Sequence, residues 1–524
     1  MRYDAIVIGG GHNGLTAAAY LARAGRKVLV LERRHVLGGA ATTEEVFEGF
    51  KFSVCSYVVS LLRPEIIEDL QLRRHGLEIL PLDGTFTPMA GGDYLWRTDD
   101  HDQARRDIGR HSARDAAMYD EYYEVMAEMA RFVKPVLGMV PIDPFAPDLR
   151  SARDLYGIFR RFRAMPPRLQ RLYVQLMTMS AADFLDQWFE TDVLKATMSA
   201  SGIIGTFLGV RSPGTAYVLL HHYMGEIDGE FRSWGLARGG TGAISAAIAA
   251  AARAAGVEIR TQATVASVLT SGRRAVGVRL EDGEEIDAGI VASSLDPRLT
   301  FGRLLDSALL PDTFVRDVRR FRYRGSSAKV NLALEALPEF TAMPQPGAHL
   351  RGAISISPSL EYMERAYDDA KAGRFSRQPY LDVVIPSLSD DTVAPPGKHV
   401  MSCFVQYAPY HLSQGTWDDQ REALGDAVID AIAAYAPNMR EIVRHRQVVT
   451  PLDLERVWSL SEGNIFHGEL TLEQLFFLRP VPGWARHRTP VDNFYLCGSS
   501  THPGGGIMGA PGRNAARVML EHAK

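Results

Sequence analysis

Glycines at two places in the chain have the spacing that brings a backbone close to a phosphate group. Residues 9–14 read GGGHNG and residues 504–509 read GGGIMG, so both match the pattern G-x-G-x-x-G. In such a turn the first glycine permits a sharp bend, the second leaves room for a pyrophosphate and the third lets a helix pack on a strand. The repetition raises two possibilities: two bound nucleotides, or one molecule held by both ends of the chain.

The first glycine pattern lies inside a complete strand–helix–strand unit. Apolar residues over Ala5–Ile8 predict a buried strand, a helix is expected over Leu15–Ala24, and Lys27–Leu31 predicts a second strand. The helix would direct its free N–H groups and positive dipole end at the phosphates. Glu32 follows the second strand, where a carboxylate accepts hydrogen bonds from a ribose. The unit indicates dinucleotide binding, and a merely structural turn is the alternative.

The residues after Glu32 distinguish FAD from NAD. The stretch ERRHVLGGAATT places Gly38 and Gly39 close behind that acid, with Arg33 and Thr42 alongside. This resembles the extended flavoprotein motif, in which a second glycine pair lets the chain pass near the FAD pyrophosphate, and NAD-dependent Rossmann domains lack it. We therefore expect FAD as the cofactor, with a surface Gly–Gly turn as the alternative.

The second glycine pattern has a different setting. Phe494–Cys497 predicts a short strand and Asn514–His522 a closing helix, and Gly504 comes several residues after the strand instead of at its end. Too little chain follows for a second strand–helix–strand unit. We expect the loop to lie against the ribityl chain and flavin ring, and the closing helix to stabilise negative charge at the N1–C2=O region of the ring. One cofactor held by both ends of the chain is predicted.

Four stretches resemble the phytoene desaturase, or carotenoid desaturase, superfamily of FAD-dependent oxidoreductases. They are GGGHNGLTAAAYLARAG, GFKFSVCSYVVSLLRPEIIEDLQLRRHGLEILP, HHYMGEIDGEFRSWGLARGGTGAIS and YLCGSSTHPGGGIMGAPGRNAA, which together span nearly the whole length. Within the superfamily the chain is similar to the group called pyridine nucleotide-disulphide oxidoreductase domain-containing protein 2, with the flavin-type β-carotene ketolases nearby. The group's name suggests a disulfide and a pyridine nucleotide, but this sequence supports neither.

The resemblance implies which residues hold the cofactor. Residues near the beginning would bind the ADP half of FAD, Val265 would contact the adenine, and the loop near the end would line the flavin. Ser499 stands where many flavoproteins have an aspartate. The patterns and the resemblance together predict the cofactor-binding residues Gly9, Gly11, His12, Asn13, Gly14, Glu32, Arg33, Gly38, Gly39, Ala40, Val265, Gly498, Ser499, Gly506, Ile507 and Met508.

The predicted fold class is α/β, with a Rossmann-type FAD-binding domain like that of glutathione reductases and amine oxidases and an interleaved α+β substrate domain. A chain of 524 residues is expected to form two or three domains. Ala243–Gly256 predicts a helix and VRLEDGEEI a hairpin around Asp282-Gly283. We assign residues 1–60, 225–300 and 480–524 to the FAD-binding domain, and residues 61–224 and 301–479 to the substrate domain.

The resemblance also implies a reaction. We expect an FAD-dependent oxidoreductase that dehydrogenates an apolar, polyunsaturated or isoprenoid-like (carotenoid-like) substrate by hydride transfer to the flavin N5. Four alternatives stay open: a redox-neutral flavin isomerase, a ketolase, an amine oxidase-like enzyme, and a flavin-carrying interaction protein without turnover.

Polar residues that could take part in catalysis are few. In the predicted strand Ser327–Leu334, Lys329 lies on the face opposite the apolar residues and could hold a water molecule near the flavin. A solvated outer face is the alternative. His221, His222 and His502 lie near loops expected to face the flavin, and satisfied structural histidines are their alternative. The weak candidates are therefore Lys329, His222 and His502.

Composition limits the partners and the compartment. The formal net charge is −4, so no general attraction to nucleic acid is expected. Cys55, Cys403 and Cys497 are widely separated and show no metal-ligand spacing, which favours a reducing cytoplasm without a disulfide or metal site. The first strand begins so early that no signal peptide is expected, and no segment is long and apolar enough to span a membrane. The oligomeric state stays open.

One stretch has a strong charge bias. From Arg150 to Arg171 the chain carries seven arginines and one acid, Asp154, with aromatic and aliphatic residues between them. A basic amphipathic helix of this kind can lie on a membrane surface. A solvated helix whose apolar stripe packs on the protein is the alternative. We expect a cytoplasmic protein, with transient contact to a membrane surface as an open possibility.

Overall fold

A computed structural model describes residues 2–145, 149–227, 229–231 and 234–522, with only the backbone at residues 150, 230 and 231. The strands are β1 Tyr3–Ile8, β2 Val28–Leu31, β3 Thr43–Phe47, β4 Phe50–Ser53, β5 Ile79–Pro81, β6 Thr85–Pro88, β7 Tyr94–Arg97, β8 Glu226–Ile227, β9 Glu230–Phe231, β10 Gly235–Ala237, β11 Glu258–Arg260, β12 Val265–Ser271, β13 Arg274–Leu280, β14 Glu285–Ser293, β15 Ser327–Leu334, β16 Ala353–Ile356, β17 Tyr380–Val384, β18 His399–Gln406, β19 Val443–Val449 and β20 Phe494–Leu496.

The α-helices connect these strands and cover the sheets. They are α1 His12–Arg23, α2 Pro64–Asp69, α3 His101–Gly109, α4 Ala113–Leu137, α5 Leu149–Ala164, α6 Pro167–Thr178, α7 Ala181–Asp186, α8 Asp192–Ser199, α9 Thr215–Tyr223, α10 Gly242–Ala254, α11 Pro297–Arg303, α12 Asp312–Arg320, α13 Leu360–Lys371, α14 Trp417–Ala433, α15 Met439–Ile442, α16 Pro451–Trp458 and α17 Ala510–His522.

The first sheet carries the predicted nucleotide turn. Its strand order is β11-β2-β1-β14-β13-β12, with β20 on the other side of β14. The pairs that join β11, β2, β1, β14 and β20 are parallel, and β12, β13 and β14 form antiparallel pairs. All four residues of β2 are buried, as expected for a parallel strand covered on both faces. The predicted strand–helix–strand unit and the hairpin between β13 and β14 are both confirmed.

Two helices begin earlier than the sequence pattern predicted. Helix α1 begins at His12, directly after Gly11, instead of at Leu15. Helix α17 begins at Ala510 instead of Asn514, and its first turn includes Pro511. The prediction began each helix at its apolar stripe, but proline and small residues also occupy first turns without adding to that stripe. Helix α1 therefore begins directly at the glycine turn, with no residues between them.

The second sheet is mixed and has the strand order β19-β15-β18-β17-β16-β6-β7. Strands β6 and β16 are parallel and the other neighbours are antiparallel. Val330 and Leu332 of β15 pack in one core with Leu424 and Val428 of α14. The predicted apolar face of β15 therefore faces a covering helix, which leaves the opposite face, with Lys329, toward the first sheet and its surroundings.

We propose that the chain divides into two domains at the boundaries expected from the sequence. The strands of the first sheet come from residues 3–31, 258–293 and 494–496, and those of the second sheet from residues 85–97 and 327–449. This distribution supports two interleaved domains, each built around its own sheet.

Both ends of the chain meet at helix α1. A Cβ atom on Gly512 of α17 would lie 2.1 Å from the carbonyl oxygen of Asn13, so the two helices approach as closely as glycine allows. The Asn13 side-chain amide also donates a hydrogen bond to Ser499 Oγ at 2.9 Å. Residues 497–509, here called the C-terminal loop, connect β20 to α17. The second glycine pattern is thus part of one loop and not a second nucleotide turn, as predicted.

Candidate active site

A long cleft runs between the first sheet and the second. It encloses about 1960 Å³ with its solvent-open mouth included. Its lining extends from the glycine turn at Gly11 to Phe404 of the second sheet, so an extended cofactor and a substrate can lie in it together. All predicted cofactor-binding residues except Gly498 and Met508 line it, namely Gly9, Gly11, His12, Asn13, Gly14, Glu32, Arg33, Gly38, Gly39, Ala40, Val265, Ser499, Gly506 and Ile507.

The glycine turn between β1 and α1 leaves space beside its backbone. A Cβ atom on Gly11 would meet only the Gly38 carbonyl oxygen, at 3.9 Å, so the protein itself does not fill this space. A Cβ atom on Gly14 would lie 2.2 Å from the Gly9 carbonyl oxygen, so this glycine allows the helix to pack on the turn. No side chain caps the N-terminus of α1. Free N–H groups and a positive helix end therefore face an open space, which suits a pyrophosphate.

Glu32 is positioned at the end of β2 by main-chain hydrogen bonds. Its two carboxylate oxygens accept from Gly10 N and Arg34 N, each at 2.8 Å. The residue is 7% exposed and its carboxylate lies at the cleft wall. A carboxylate fixed in this way keeps lone pairs available for the hydroxyl groups of a ribose.

The C-terminal loop forms the opposite end of the cofactor side. Ser499, Gly506 and Ile507 line the cleft. Gly498 packs away from it, because its Cα faces Ser294 and a Cβ atom there would lie 2.2 Å from the Ser294 carbonyl oxygen. Met508 is fully buried and packs against Leu61. Gly498 and Met508 thus do not line the cleft, and their flavin contacts stay a prediction.

The remaining wall of the cleft is apolar and aromatic. Tyr57 and Phe404 stack with ring centroids 5.9 Å apart. The Tyr57 hydroxyl donates a 2.5 Å hydrogen bond to Asp382, and burial raises the pKa of that carboxyl to about 6. The bond points the hydroxyl away from the cleft and presents the ring to it. The apolar and aromatic residues of this wall include Tyr57, Val58, Leu61, Ile204, Trp234, Phe404, Ile465 and Phe466.

Lys329 lies in this wall and is 2% exposed, so the alternative of a solvated outer face is wrong. Its ammonium donates to the Ser53 carbonyl oxygen at 2.9 Å and lies 5.4 Å from the centre of the Tyr57 ring. Desolvation lowers the pKa of Lys329 to about 8, which leaves the amine mostly protonated at neutral pH. The structure thus places one positive charge in an otherwise apolar wall.

The histidines divide into two groups. His222 lines the cleft, shares a 2.9 Å hydrogen bond with the Val218 carbonyl oxygen and stacks on Trp234. His221 is fully buried and does not line the cleft. His502 belongs to the C-terminal loop, but its ring contacts the Val136 carbonyl oxygen of α4 at 2.9 Å and is also outside the cleft. Burial lowers the pKa of His222 and of His502 to about 4, so both are neutral at pH 7.

The three cysteines are free thiols. Cys55 lines the cleft, and Cys403 and Cys497 are buried elsewhere. Burial raises the pKa of Cys403 and of Cys497 to about 12, which removes the thiolate that redox chemistry needs. In the described residues no group of three or more histidine, cysteine or acidic side chains could hold a metal ion.

The geometry defines a class of protein. An uncapped helix N-terminus, an unfilled space at Gly11 and a fixed carboxylate at Glu32 suit an adenine dinucleotide. The long cleft continues past the C-terminal loop to an apolar wall, which suits a reactive ring at the far end of that dinucleotide. These features are those of FAD-dependent oxidoreductases.

Comparisons with known proteins agree. Residues 150–520 match the family described as flavin containing amine oxidoreductase, and residues 7–68 match an NAD(P)-binding Rossmann-like domain. The chain is 42% identical to pyridine nucleotide-disulfide oxidoreductase domain-containing protein 2 of Rattus norvegicus, over 100% of this chain and 94% of the relative. It is 28% identical to a limonene dehydrogenase polypeptide of Castellaniella defragrans, over 99% and 94% of the two chains.

Two further similarities are more distant. The chain is 26% identical to a lycopene-forming phytoene desaturase of a Paracoccus species, over 98% of this chain and 97% of the relative. A solved structure of a triple mutant of putrescine oxidase superposes with a TM-score of 0.61 at 16% identity, over 100% of this chain and 99% of that one. At that identity the superposition shows the shared fold alone.

The chain belongs to the flavin containing amine oxidoreductase family. It is an FAD-dependent oxidoreductase that acts on a small-molecule substrate, so the alternative of an interaction protein without turnover is set aside. In the described residues no helix is both long and apolar enough to cross a bilayer.

Several cleft residues were not found from the sequence. Ser294 follows β14 and donates to the carbonyl oxygens of Ile8 and Gly9, which holds the glycine turn. Its only signal was the small residue at the end of a predicted strand. Tyr57, Trp234 and Phe466 come from loops without periodicity, and no local pattern identifies them. Phe404 lies in strand β18, whose pattern does not show that it faces the cleft.

The two glycines of the turn should respond differently to substitution. We expect Gly11→Val to fold but to lose FAD, because the new side chain meets no protein atom and occupies the pyrophosphate space. Gly14→Val should instead destabilise the apo-protein, because its Cβ overlaps the Gly9 carbonyl oxygen. Flavin absorbance after purification and the thermal midpoint of apo-protein measure the two effects.

Gly302→Val is the matched control for this pair. Gly302 is an exposed helical residue where a Cβ atom would meet nothing within 4 Å. The control should keep both the flavin and the thermal midpoint. A yellow Gly11→Val protein with stoichiometric FAD would contradict the assignment of this space to the cofactor.

Proposed function

We propose that this enzyme dehydrogenates a neutral, apolar substrate of the isoprenoid hydrocarbon class. The composition of the cleft carries the proposal: among the described lining residues Glu32 is the only acid, and it belongs to the cofactor side. The wall beyond the C-terminal loop is built from aliphatic and aromatic side chains. An apolar chain gains from burial against such a wall, by about 25 cal/mol for each Å² removed from water.

The names of two relatives support this substrate class. One is named for limonene and the other for phytoene, and both compounds are isoprenoid hydrocarbons. The matches cover 99% and 98% of this chain.

We propose the following division of roles. Gly9, Gly11, His12, Asn13, Gly14, Glu32, Arg33, Gly38, Gly39, Ala40 and Val265 would hold the ADP half of FAD, and Ser499, Gly506 and Ile507 the flavin side. When bound, FAD would accept a hydride (two electrons and one proton) from the substrate, and the second hydrogen would leave as a proton to water. Tyr57 and Phe404 would orient the substrate and exclude water. Lys329 would hold a proton at Nζ beside the Tyr57 ring, where it can position a water molecule.

This cleft is less suited to binding an amine substrate. A protonated amine would meet the ammonium group of Lys329 and no unpaired carboxylate. Tyr57 and Phe404 are nearly parallel, but a substrate held between two rings needs about 7 Å and their centroids are 5.9 Å apart. The pair is therefore one packed wall and not a cage around an amine.

The substrate class is tested by anaerobic reduction of the holoenzyme. We expect loss of flavin absorbance with limonene or phytoene in detergent micelles, and a product that lacks two hydrogen atoms. Putrescine at the same concentration should leave the flavin oxidised. The variant Phe404→Asp should retain FAD and lose at least tenfold in the rate of reduction, because it places an uncompensated charge in the apolar wall.

The product mass separates the remaining alternatives. An unchanged mass would indicate an isomerase, and a gain of oxygen a ketolase. Reduction by the amine and not by either hydrocarbon would contradict the proposal. The conservative variant Phe404→Leu is the control, because it keeps an apolar side chain at the same place.

We also propose transient contact with an anionic membrane surface through α5. Leu149, Tyr156 and Phe159 expose 94%, 62% and 58% of their surfaces on one side of this helix. Arg160 and Arg163 are exposed in the same helix. Apolar side chains exposed among arginines are typical of surfaces that lie on anionic lipid.

The structure corrects the number of arginines available for this contact. Arg161 donates to the Phe132 carbonyl oxygen at 3.0 Å, and Arg168 pairs with Glu121 at 2.5 Å, so both are engaged with α4. The side chain of Arg150 lies outside the described residues. Arg153, Arg160, Arg163 and Arg171 remain of the seven predicted from the sequence, and they are exposed.

Vesicle co-sedimentation tests the surface. We expect the protein to sediment with vesicles containing phosphatidylserine at low salt, and not with vesicles of phosphatidylcholine alone. Arg153→Glu/Arg160→Glu/Arg163→Glu should bind at least tenfold more weakly, since each arginine near such a surface contributes about 1 kcal/mol.

The control variant, Arg316→Glu/Arg319→Glu/Arg320→Glu, reverses the charge of three exposed arginines of α12. It therefore makes the same change in net charge. Equal loss of binding in both triple variants would show that only net charge matters. Equal sedimentation of the α5 variant and the wild type would leave α5 as a solvated helix.

A further inference from the structure

Arg479 is a buried arginine that is not exposed at all. Its guanidinium donates to the carbonyl oxygens of Phe466 at 2.8 Å, Gly468 at 3.2 Å and Ser499 at 3.0 Å. Further bonds reach the carbonyl oxygens of Glu469 and Gln474, both at 3.2 Å. Every one of these acceptors is a main-chain carbonyl. All three nitrogens of the Arg479 guanidinium thus donate hydrogen bonds, but none of their acceptors carries a negative charge.

The nearest candidates for a counter-charge do not provide one. The Glu469 carboxylate forms two 2.7 Å hydrogen bonds with Arg324. Burial raises the pKa of Tyr323 well above its ordinary value, so its hydroxyl stays neutral. Desolvation lowers the pKa of Arg479 itself to about 9, which still leaves it charged at neutral pH.

The buried histidines around Arg479 are also uncharged. Burial, with a smaller contribution from Arg479, lowers the pKa of His467 and of His502 to about 4. Burial holds the pKa of His221 well below its ordinary value. At neutral pH none of these groups therefore pairs a negative charge with the Arg479 guanidinium, since the Glu469 carboxylate pairs with Arg324 instead. Burial of an unpaired charge is unfavourable, and such charges concentrate at functional sites.

The Arg479 guanidinium contacts the C-terminal loop but does not itself line the cleft. Ser499 accepts from Arg479 through its carbonyl oxygen and lines the cleft, so one residue separates the guanidinium from the cleft. A Cβ atom on Gly504 would lie 3.9 Å from Arg479 Nε, and Gly506, two residues further on, also lines the cleft. In a low-dielectric interior a unit charge acts over such distances with little screening.

We propose that Arg479 acts through the C-terminal loop to make the bound flavin easier to reduce. The proposal rests on the placement of the flavin at this loop in the proposed function. A hydride carries one proton and two electrons, so its uptake by neutral oxidised flavin leaves one negative charge on the reduced ring. A fixed positive charge stabilises that product more than the neutral reactant, and it favours reduction.

The midpoint potential of the flavin tests this role. We compare the wild-type holoenzyme with Arg479→Met, which removes the charge, and Arg479→Lys, which retains it. In Arg479→Met we expect reduction to be at least tenfold less favourable, a fall of about 30 mV for a two-electron couple. Arg479→Lys should recover most of that loss. A potential unchanged in Arg479→Met would overturn the proposal.

The matched control is Arg161→Met, which removes another arginine that donates to main-chain carbonyls but does not line or adjoin the cleft. Its potential should equal that of the wild type. The FAD content of each protein keeps two failures apart. A wild-type protein that binds no FAD contradicts the proposed function, whereas a full FAD content with an unchanged potential contradicts only the role of Arg479.

A second variant, Arg479→Gln, removes the charge but keeps a polar side chain and is used if Arg479→Met does not fold. The reduced flavin of the wild type and of Arg479→Gln is titrated with acid, and its N1 ionisation is followed by absorbance. We expect the lower N1 pKa in the wild type, because the guanidinium stabilises the anion and the positive end of α17 is present in both proteins. An equal N1 pKa in the two proteins would overturn the proposal.

Discussion

The organisation of this enzyme depends on one steric constraint, an opening beside the backbone of Gly11 that no protein atom fills. The opening exists because Ser294 holds the Gly9 carbonyl oxygen, Gly14 lets α1 pack tightly on the turn, and the second glycine pair stands opposite at Gly38. There a pyrophosphate can meet free main-chain N–H groups at a helix N-terminus. The position of the rest of the cofactor, and hence of the substrate, follows from where its phosphates are held.

The distribution of charge divides the cleft into two functional parts. The cofactor side has a carboxylate fixed at Glu32, whereas the substrate side has no acid among its described lining residues. Its polar groups include a lysine in an aromatic wall and two neutral histidines, His222 and His467. The positive charge of Arg479 lies behind the loop that separates these parts. The same protein thus favours an anionic product on the cofactor and an uncharged molecule beside it.

Much of the cofactor side could be predicted from the sequence, because its signals are local. Gly11, Glu32 and Gly39 lie within a short segment whose spacing reports directly on the turn. Contacts between distant parts of the chain have no such local signal. Asn13 contacts Ser499, and on the substrate side Tyr57 contacts Asp382, each across hundreds of residues. The burial of Lys329 also depends on such packing, since its strand pattern fits a solvated face equally well.

We propose that one FAD, held by both ends of the chain, is the only nucleotide that this enzyme uses. Rapid-mixing reduction of the holoenzyme by NADPH tests it most directly, with FAD content measured in the same sample. We expect one FAD per chain and slow flavin reduction that rises linearly with NADPH concentration, because the second glycine pattern lies in the C-terminal loop and not at the end of a strand–helix–strand unit. Reduction that saturates at micromolar NADPH would contradict it.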